Sequence, residues 1–273
     1  MEVKELIKAG KLSEARQQLV ALVKNSPADP VSRTLLFQVL CYCGEWDKAD
    51  RHLQALSAQD SSREAGSLGF RNLIHAEQER HEVTEHNRAA SFLGEPPAYL
   101  NLFISAREKL AGDKVDEAAD LFNRLESLRP AISGTLNNNS FTGLRDTDSF
   151  LVPFLEVFVH ERYLWIPFES LRELSIAPPQ TLLDLLWIPA NVTTWEGFTM
   201  NCYLPVLYPD SFLQEDERIK MGRMTDWISL GGPFAKGVGQ HVFEVGGEDI
   251  SLLEIREIVF NFTGNNISDE KNK

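Results

Sequence analysis

Residues 10–22 read GKLSEARQQLVAL and residues 44–56 read GEWDKADRHLQAL. Overlaid, they align Gly10 with Gly44, Leu12 with Trp46, Ala15 with Ala49, Leu19 with Leu53 and Leu22 with Leu56, each pair 34 positions apart. That spacing belongs to a tetratricopeptide-type repeat, a unit of two antiparallel helices. The residue types fit the register. Gly suits the left-handed position that ends a helix, and a large apolar residue two positions on plugs the turn. The small Ala lets two helices approach, and the residues four and seven further on extend one buried stripe. Pro27 closes the first unit twelve residues after Ala15.

The stripe returns at Ala118, Phe122 and Leu125, with Pro130 twelve residues after Ala118. Ala118 follows Ala49 by 69 residues, two periods plus one, and Gly112 precedes it by six positions instead of five. This spacing puts an extra residue in the third turn. Residues 62–93 have helical composition without the signature, a degenerate unit. Glu95-Pro96-Pro97 then breaks the chain, and a helix starts near Ala98. Residues 1–130 therefore read as three to four hairpins stacked into a TPR-like α–α superhelix. Placing Leu36 at the seventh position of the second unit puts Val31, Thr34, Gln38, Cys41 and Tyr42 on the inward face. Such a face can hold a peptide or helix. Packing against the rest of the chain is an equal alternative.

Charge and texture change after residue 130. The first 130 residues carry 17 Lys/Arg and 20 Asp/Glu, the remainder 10 and 20, and four of five Trp fall in the second part. Pro130 and the polar stretch 133–140 mark the boundary. Residues 131–262 read as a mostly antiparallel α+β domain. A helix is expected over 149–160, a strand over 162–168, a helical turn over 168–174, and a helix over 182–186 capped by Thr181. Strands 192–195 and 198–204 flank Glu196-Gly197 as a hairpin, and further strands fall near 242–245 and 255–260. Trp-Ile-Pro, at 165–167 and 187–189, suggests a strand-ending device used twice. Residues 263–273 have too little apolar content to order themselves and are expected to form a disordered tail.

A net charge of −13 argues against nucleic acid or an anionic membrane as partner, since phosphate binding needs a basic footprint. Three cysteines make no secreted disulfide framework. The start MEVKELIKAGKL lacks a signal-peptide core, and the most apolar run, 150–159, is too short to span a bilayer. A cytoplasmic location is expected.

Motifs for chemistry are weak. His81 and His86 are five apart, about 140° around a helix, so they do not share a metal and read as a solvated face. Cys41 and Cys43 point to opposite sides of a helix and read as packing residues. The stretch GGPFAKG at 231–237 lacks the Gly-Lys-Ser/Thr order of a phosphate loop, leaving turn glycines. Glu215, Asp216 and Glu217 read as a charged loop. The cluster Gly222, Arg223, Thr225, Asp226, Trp227 suits a buried ion pair capped by an indole, fixing a loop, or a polar recognition site. No catalytic residue, metal or cofactor is expected. The alternative is an enzyme or ligand-binding protein with an interdomain site around Arg223, Asp226 and His241.

Six stretches taken together carry a resemblance: 94–98 (GEPPA), 163–169 (YLWIPFE), 184–190 (DLLWIPA), 204–209 (LPVLYP), 221–227 (MGRMTDW), and 239–240 (GQ) followed by 252–257 (LLEIRE). In this order, across nearly the whole chain, they resemble the ImpE/SciE family, whose better-studied members are called TagJ. The resemblance implies a non-enzymatic, cytoplasmic accessory protein of bacterial type VI secretion. Its implied partner is the N-terminal helix of TssB, the small subunit of the contractile sheath. Its implied role bears on sheath disassembly by the ClpV ATPase. The family supplies no catalytic residues.

Overall fold

The computed structural model describes residues 2–262; the expected tail lies outside them. The helical half contains α1 (Val3–Lys8), α2 (Leu12–Asn25), α3 (Pro30–Tyr42), α4 (Trp46–Gln59), α5 (Glu64–Glu85), α6 (Leu100–Ala111) and α7 (Val115–Leu128), with a two-residue strand, β1 (Ser91–Phe92), between α5 and α6. Three hairpins form as the period requires. The degenerate unit is not a hairpin but one 22-residue helix, α5, which packs on α4 and also on the strands of the second half.

The repeat turns show how the register is kept. Gly10 (φ 77°) and Gly44 (φ 68°) are left-handed, and the third turn uses Asp113 (φ 56°) instead of Gly112. Each turn closes with the same pair of bonds. Gly10 N donates to Ile7 O and Lys11 N to Leu6 O; Gly44 to Cys41 and Glu45 to Leu40; Asp113 to Leu110 and Lys114 to Lys109. The third turn therefore has no extra residue. The left-handed position remains five before the Ala, and Asp fills it because its short side chain tolerates that conformation. The stripe is buried throughout except at Leu22, which is 43% exposed where Leu56 is 4%. The six residues of α1, about 9 Å of helix, cover only the beginning of the roughly 21 Å of α2.

The second half adds β2 (Ser133–Leu136), β3 (Asn139–Thr142), β4 (Leu144–Asp146), β5 (Phe154–Val159), β6 (Arg162–Pro167), β7 (Leu171–Ile176), β8 (Trp187–Thr194), β9 (Thr199–Pro205), a four-residue helix α8 (Glu217–Lys220), β10 (Thr225–Gly231), β11 (Phe234–Gly239), β12 (Val242–Val245), β13 (Glu248–Ser251) and β14 (Glu257–Phe260). Nine strands form one sheet in the order β1-β6-β5-β9-β8-β7-β14-β2-β3; β13-β12-β4 and β10-β11 form two small sheets. All pairings are antiparallel except β1 with β6, so the helical half contributes an edge strand to the sheet of the other half. Helices and strands share one continuous apolar core.

Several local expectations change. Residues 149–160 are not a helix. After Pro153 the run Phe-Leu-Glu-Val-Phe-Val is the buried strand β5, ending in a two-residue turn at His160-Glu161 that returns as β6. Both faces of β5 are covered, which removes the alternation that marks a strand. The polar stretch 133–140 is the β2–β3 hairpin, turned by left-handed Asn137 and Asn138. Gly231 and Gly232 turn the β10–β11 hairpin, while Gly237 lies within β11 opposite Trp227. The first Trp-Ile-Pro ends β6, but the second begins β8, so it is not a repeated stop signal. Residues 182–186 tighten to a 3₁₀ turn, Leu183–Leu185, with Thr181 and Asp184 capping each other.

The second half reaches all three helix-hairpin turns. At Gly10, the Arg223 guanidinium donates to Ile7 O and Lys8 O, both at 2.8 Å, satisfying carbonyls at the end of α1. Glu217, 205 residues from Leu12, accepts from Leu12 N at 2.8 Å and Ser13 N at 2.7 Å. It thereby caps α2, whose own cap residue Lys11 makes no such bond. At Gly44 the ring of Phe212 lies so close that a Cβ would meet it at 2.2 Å. At the third turn Val115 abuts Gly231, where a Cβ would come within 2.7 Å of it. The charged loop at 215–217 is thus in part a helix cap supplied across the molecule.

Gly44→Ala meets both a left-handed backbone and the Phe212 ring and is expected to lower stability by about 2 kcal/mol. Gly66→Ala, within α5 and with open space at the Cβ position, is expected to raise it by about 0.5–1 kcal/mol. Denaturant midpoints of the two variants test this contrast.

Candidate functional site

The interface between the halves centres on a buried cluster of charges. Arg80 on α5 and Glu156 on β5 are both 2% exposed and bind in two-pronged fashion, Nε to Oε1 at 2.8 Å and Nη2 to Oε2 at 2.6 Å. Arg80 also donates to Leu207 O at 2.7 Å and to Glu77 at 3.0 Å. The Tyr163 hydroxyl donates to Glu156, and the Trp165 indole donates to Tyr163 at 2.6 Å. His241, just before β12, sits between two carboxylates, with Nδ1 3.0 Å from Asp146 and Nε2 2.9 Å from Glu156. Its Nε2 also lies 3.3 Å from Arg80 Nη2, which is a donor. With a carboxylate facing each ring nitrogen, the setting favours the doubly protonated imidazolium.

The proton affinities follow from these contacts. Burial would lower His241, but Asp146 and Glu156 outweigh it and raise the imidazole to about 9. Burial would raise Glu156, yet Arg80 and His241 hold it far below the usual carboxylate range. Asp148 accepts from Phe150 N and Gly237 N but lacks such a cation. Burial, and then the neighbouring Asp146, push it up to about 7. The cluster's charged side chains are buried and paired with one another.

Of the residues expected on the inward face of the repeats, Cys41 and Tyr42 are buried, and the Tyr42 hydroxyl donates to Leu182 O at 2.7 Å. That end of the face is closed by the chain itself. The segment at 207–213 lies against it, with Phe212 packed on Trp46 and His81, ring centroids 5.0 and 5.7 Å away. His81 is therefore only partly solvated, its side chain 32% exposed, and its Nδ1 also lies 3.0 Å from Asp210. Val31, 60% exposed, and the half-buried Thr34 and Gln38 keep the other end open.

The cluster at 222–227 contains no Arg–Asp ion pair. Arg223 binds the end of α1, Asp226 accepts from the Trp227 amide at 2.9 Å, and Thr225 donates to Gln240 O at 2.8 Å. Gly222 is left-handed, with Leu207 against its Cα, and Trp227 is 40% exposed. Arg223, Asp226 and His241 each have separate partners and do not converge. The sequence reading missed Arg80, Glu156 and Asp146. The signal available was Glu156, the lone charge inside the apolar run 150–159.

A surface hollow of about 430 Å³ lies beside α7, with Phe122, Val152 and Phe234 among its lining. It shares Glu126, Arg145 and Glu244 with a neighbouring hollow of about 420 Å³. Among the described residues no helix is long and apolar enough to cross a membrane.

Fold and site together define a class: stacked helical hairpins sealed onto an antiparallel α+β unit through buried charge. Comparison with known proteins gives the family, and the resemblance read from the six motifs holds. The chain belongs to the ImpE/TagJ-like family. The ImpE protein family model matches residues 138–259. The type VI secretion system accessory component TagJ of Pseudomonas aeruginosa (strain PAO1) is 31% identical over 260 residues, 95% of this chain and 91% of that protein. The crystal structure of protein VPA1032 from Vibrio parahaemolyticus shares the fold, with a TM-score of 0.85 at 24% identity over 96% of this chain and 98% of that one.

His241→Leu leaves two buried carboxylates facing an apolar group and is expected to cost about 3–5 kcal/mol at neutral pH. The folded imidazole binds its proton more tightly than the ordinary 6.5. Its stabilisation is therefore complete below that pH and fades as pH rises towards about 9. Urea titrations across this range should show the wild type losing stability with a slope that the variant lacks.

Proposed function

We propose that this chain is a non-enzymatic, cytoplasmic accessory protein of a bacterial type VI secretion system. It acts as an adaptor that binds the N-terminal helix of TssB, the small sheath subunit, and so influences sheath recycling. The observation that carries this reading is the full-length likeness to the accessory component TagJ. The structure is compatible with it. Stacked hairpins offer a rigid frame for gripping a helix, and Arg80, Glu156, His241 and Asp146 are committed to one another. Val31, Thr34 and Gln38 are the part of the inward face that a partner can still touch, whereas Cys41 and Tyr42 serve the contact with the second half.

Calorimetric titration of the full chain with the isolated TssB helix tests the reading. Saturable binding with a dissociation constant of about 10 µM or tighter is expected, roughly −7 kcal/mol. Absence of heat and of co-elution at tens of micromolar would remove the proposal.

A further inference from the structure

The first hairpin is left half open where the other two are closed. In the repeat register Lys8 at the end of α1 is the counterpart of Tyr42 at the end of α3 and of Ala111 at the end of α6. The three helices end together but do not begin together. Val3, where α1 starts, corresponds to Phe37, so α1 has no counterpart to Pro30–Leu36 of α3. That stretch is about 10 Å of helix, two turns. In the second hairpin it roofs the end of α4: Arg33 reaches His52 at 3.2 Å, and Leu36 and Leu56 are both buried. In the third, Leu125 at the same place on α7 is fully buried in the hairpin with α6. Leu22 holds that place on α2 and is 43% exposed. Val31, 60% exposed on the first turn of α3, stands at the same end of the α2–α3 pair, since only residues 26–29 connect the two helices. The fold itself states what fits here, because twice in this chain the equivalent position is covered by a helix running antiparallel to the one that carries it.

We infer that this gap docks an amphipathic helix of a protein partner, lying in line with α1 and completing the first hairpin as α3 and α6 complete theirs. The partner's apolar stripe covers Leu22 and reaches Val31, while its polar side faces water. The inference rests on the adaptor reading for the partner's identity but not for the location. A helix brings its backbone hydrogen bonds already satisfied, so contact is made by side chains at a spacing of three and four. A few apolar side chains at the centre of such a contact carry most of its affinity.

The test is fluorescence anisotropy with the full chain and the labelled TssB helix. Leu22→Glu places a charge in the gap at a position exposed enough to leave the fold intact, which its denaturant midpoint checks, and is expected to weaken binding about tenfold. Val31→Glu is expected to weaken it severalfold. Leu128→Glu, the same change at an exposed position on the far end of α7, is expected to weaken it less than about twofold. Unchanged affinity in Leu22→Glu, or equal losses in Leu22→Glu and Leu128→Glu, would overturn the inference while the adaptor reading stands. A second probe separates the two readings if the TssB helix does not bind at all. This is a peptide of residues 98–111 of this chain, the helix that closes the third hairpin. Saturable binding on the order of hundreds of micromolar, lost in Leu22→Glu, keeps the gap as a helix site and excludes the sheath partner. No binding of either probe rejects both.

Discussion

Placing Arg80 and Glu156 together in the interior is the constraint around which the rest of the molecule is arranged. Removing either ion from water costs several kcal/mol, and their attraction offsets this only when the remaining donors and acceptors are also matched. Here they are. Glu156 receives Arg80, Tyr163 and His241, and Arg80 reaches Leu207 O and Glu77 as well. His241 is held in turn by Asp146. These groups come from α5, β5, β6, the 207–208 segment, β4 and the start of β12. The cluster therefore forms only when the helical half and the sheet meet in one register, and it penalises any docking that leaves a charge alone.

A second set of contacts acts where the repeats are weakest. A helical hairpin exposes unpaired backbone groups at its turn, and each of the three turns meets the second half: Arg223 at the first, Phe212 at the second and the β10–β11 tip at the third. Glu217 adds the cap that Lys11 cannot provide. A repeat array that would otherwise present an inward groove has that groove partly filled by its own chain. The open end of α3, with exposed Val31 and half-buried Thr34 and Gln38, is what remains of that face.

The repeat register was readable because it repeats. Gly10, Gly44 and the Ala positions carry a geometric demand that appears at fixed spacing. Asp113 shows the limit: the demand is for a left-handed residue, and counting glycines alone misplaced the turn by one. β5 was misread because a strand covered on both faces shows no alternation. The β2–β3 hairpin was hidden because Asn137-Asn138, an acceptable hairpin turn, sits in a polar stretch that also suits a linker. At the site, Trp165 and His241 stood out by residue type, but Arg80 lies 76 positions from Glu156 and 161 from His241, separations that obey no local spacing. Arg223 suggested an ion pair with Asp226, yet its partners are main-chain carbonyls at the opposite end of the chain, which no side-chain motif encodes.

The central claim is that buried charge makes the helical half and the sheet one cooperative unit. Thermal unfolding followed on one sample by helical circular dichroism and by tryptophan fluorescence, four of whose five reporters lie beyond residue 130, examines it directly. A single transition with coincident midpoints is the result this account requires. Helices that melt at a separate temperature while the tryptophan signal stays native would contradict it.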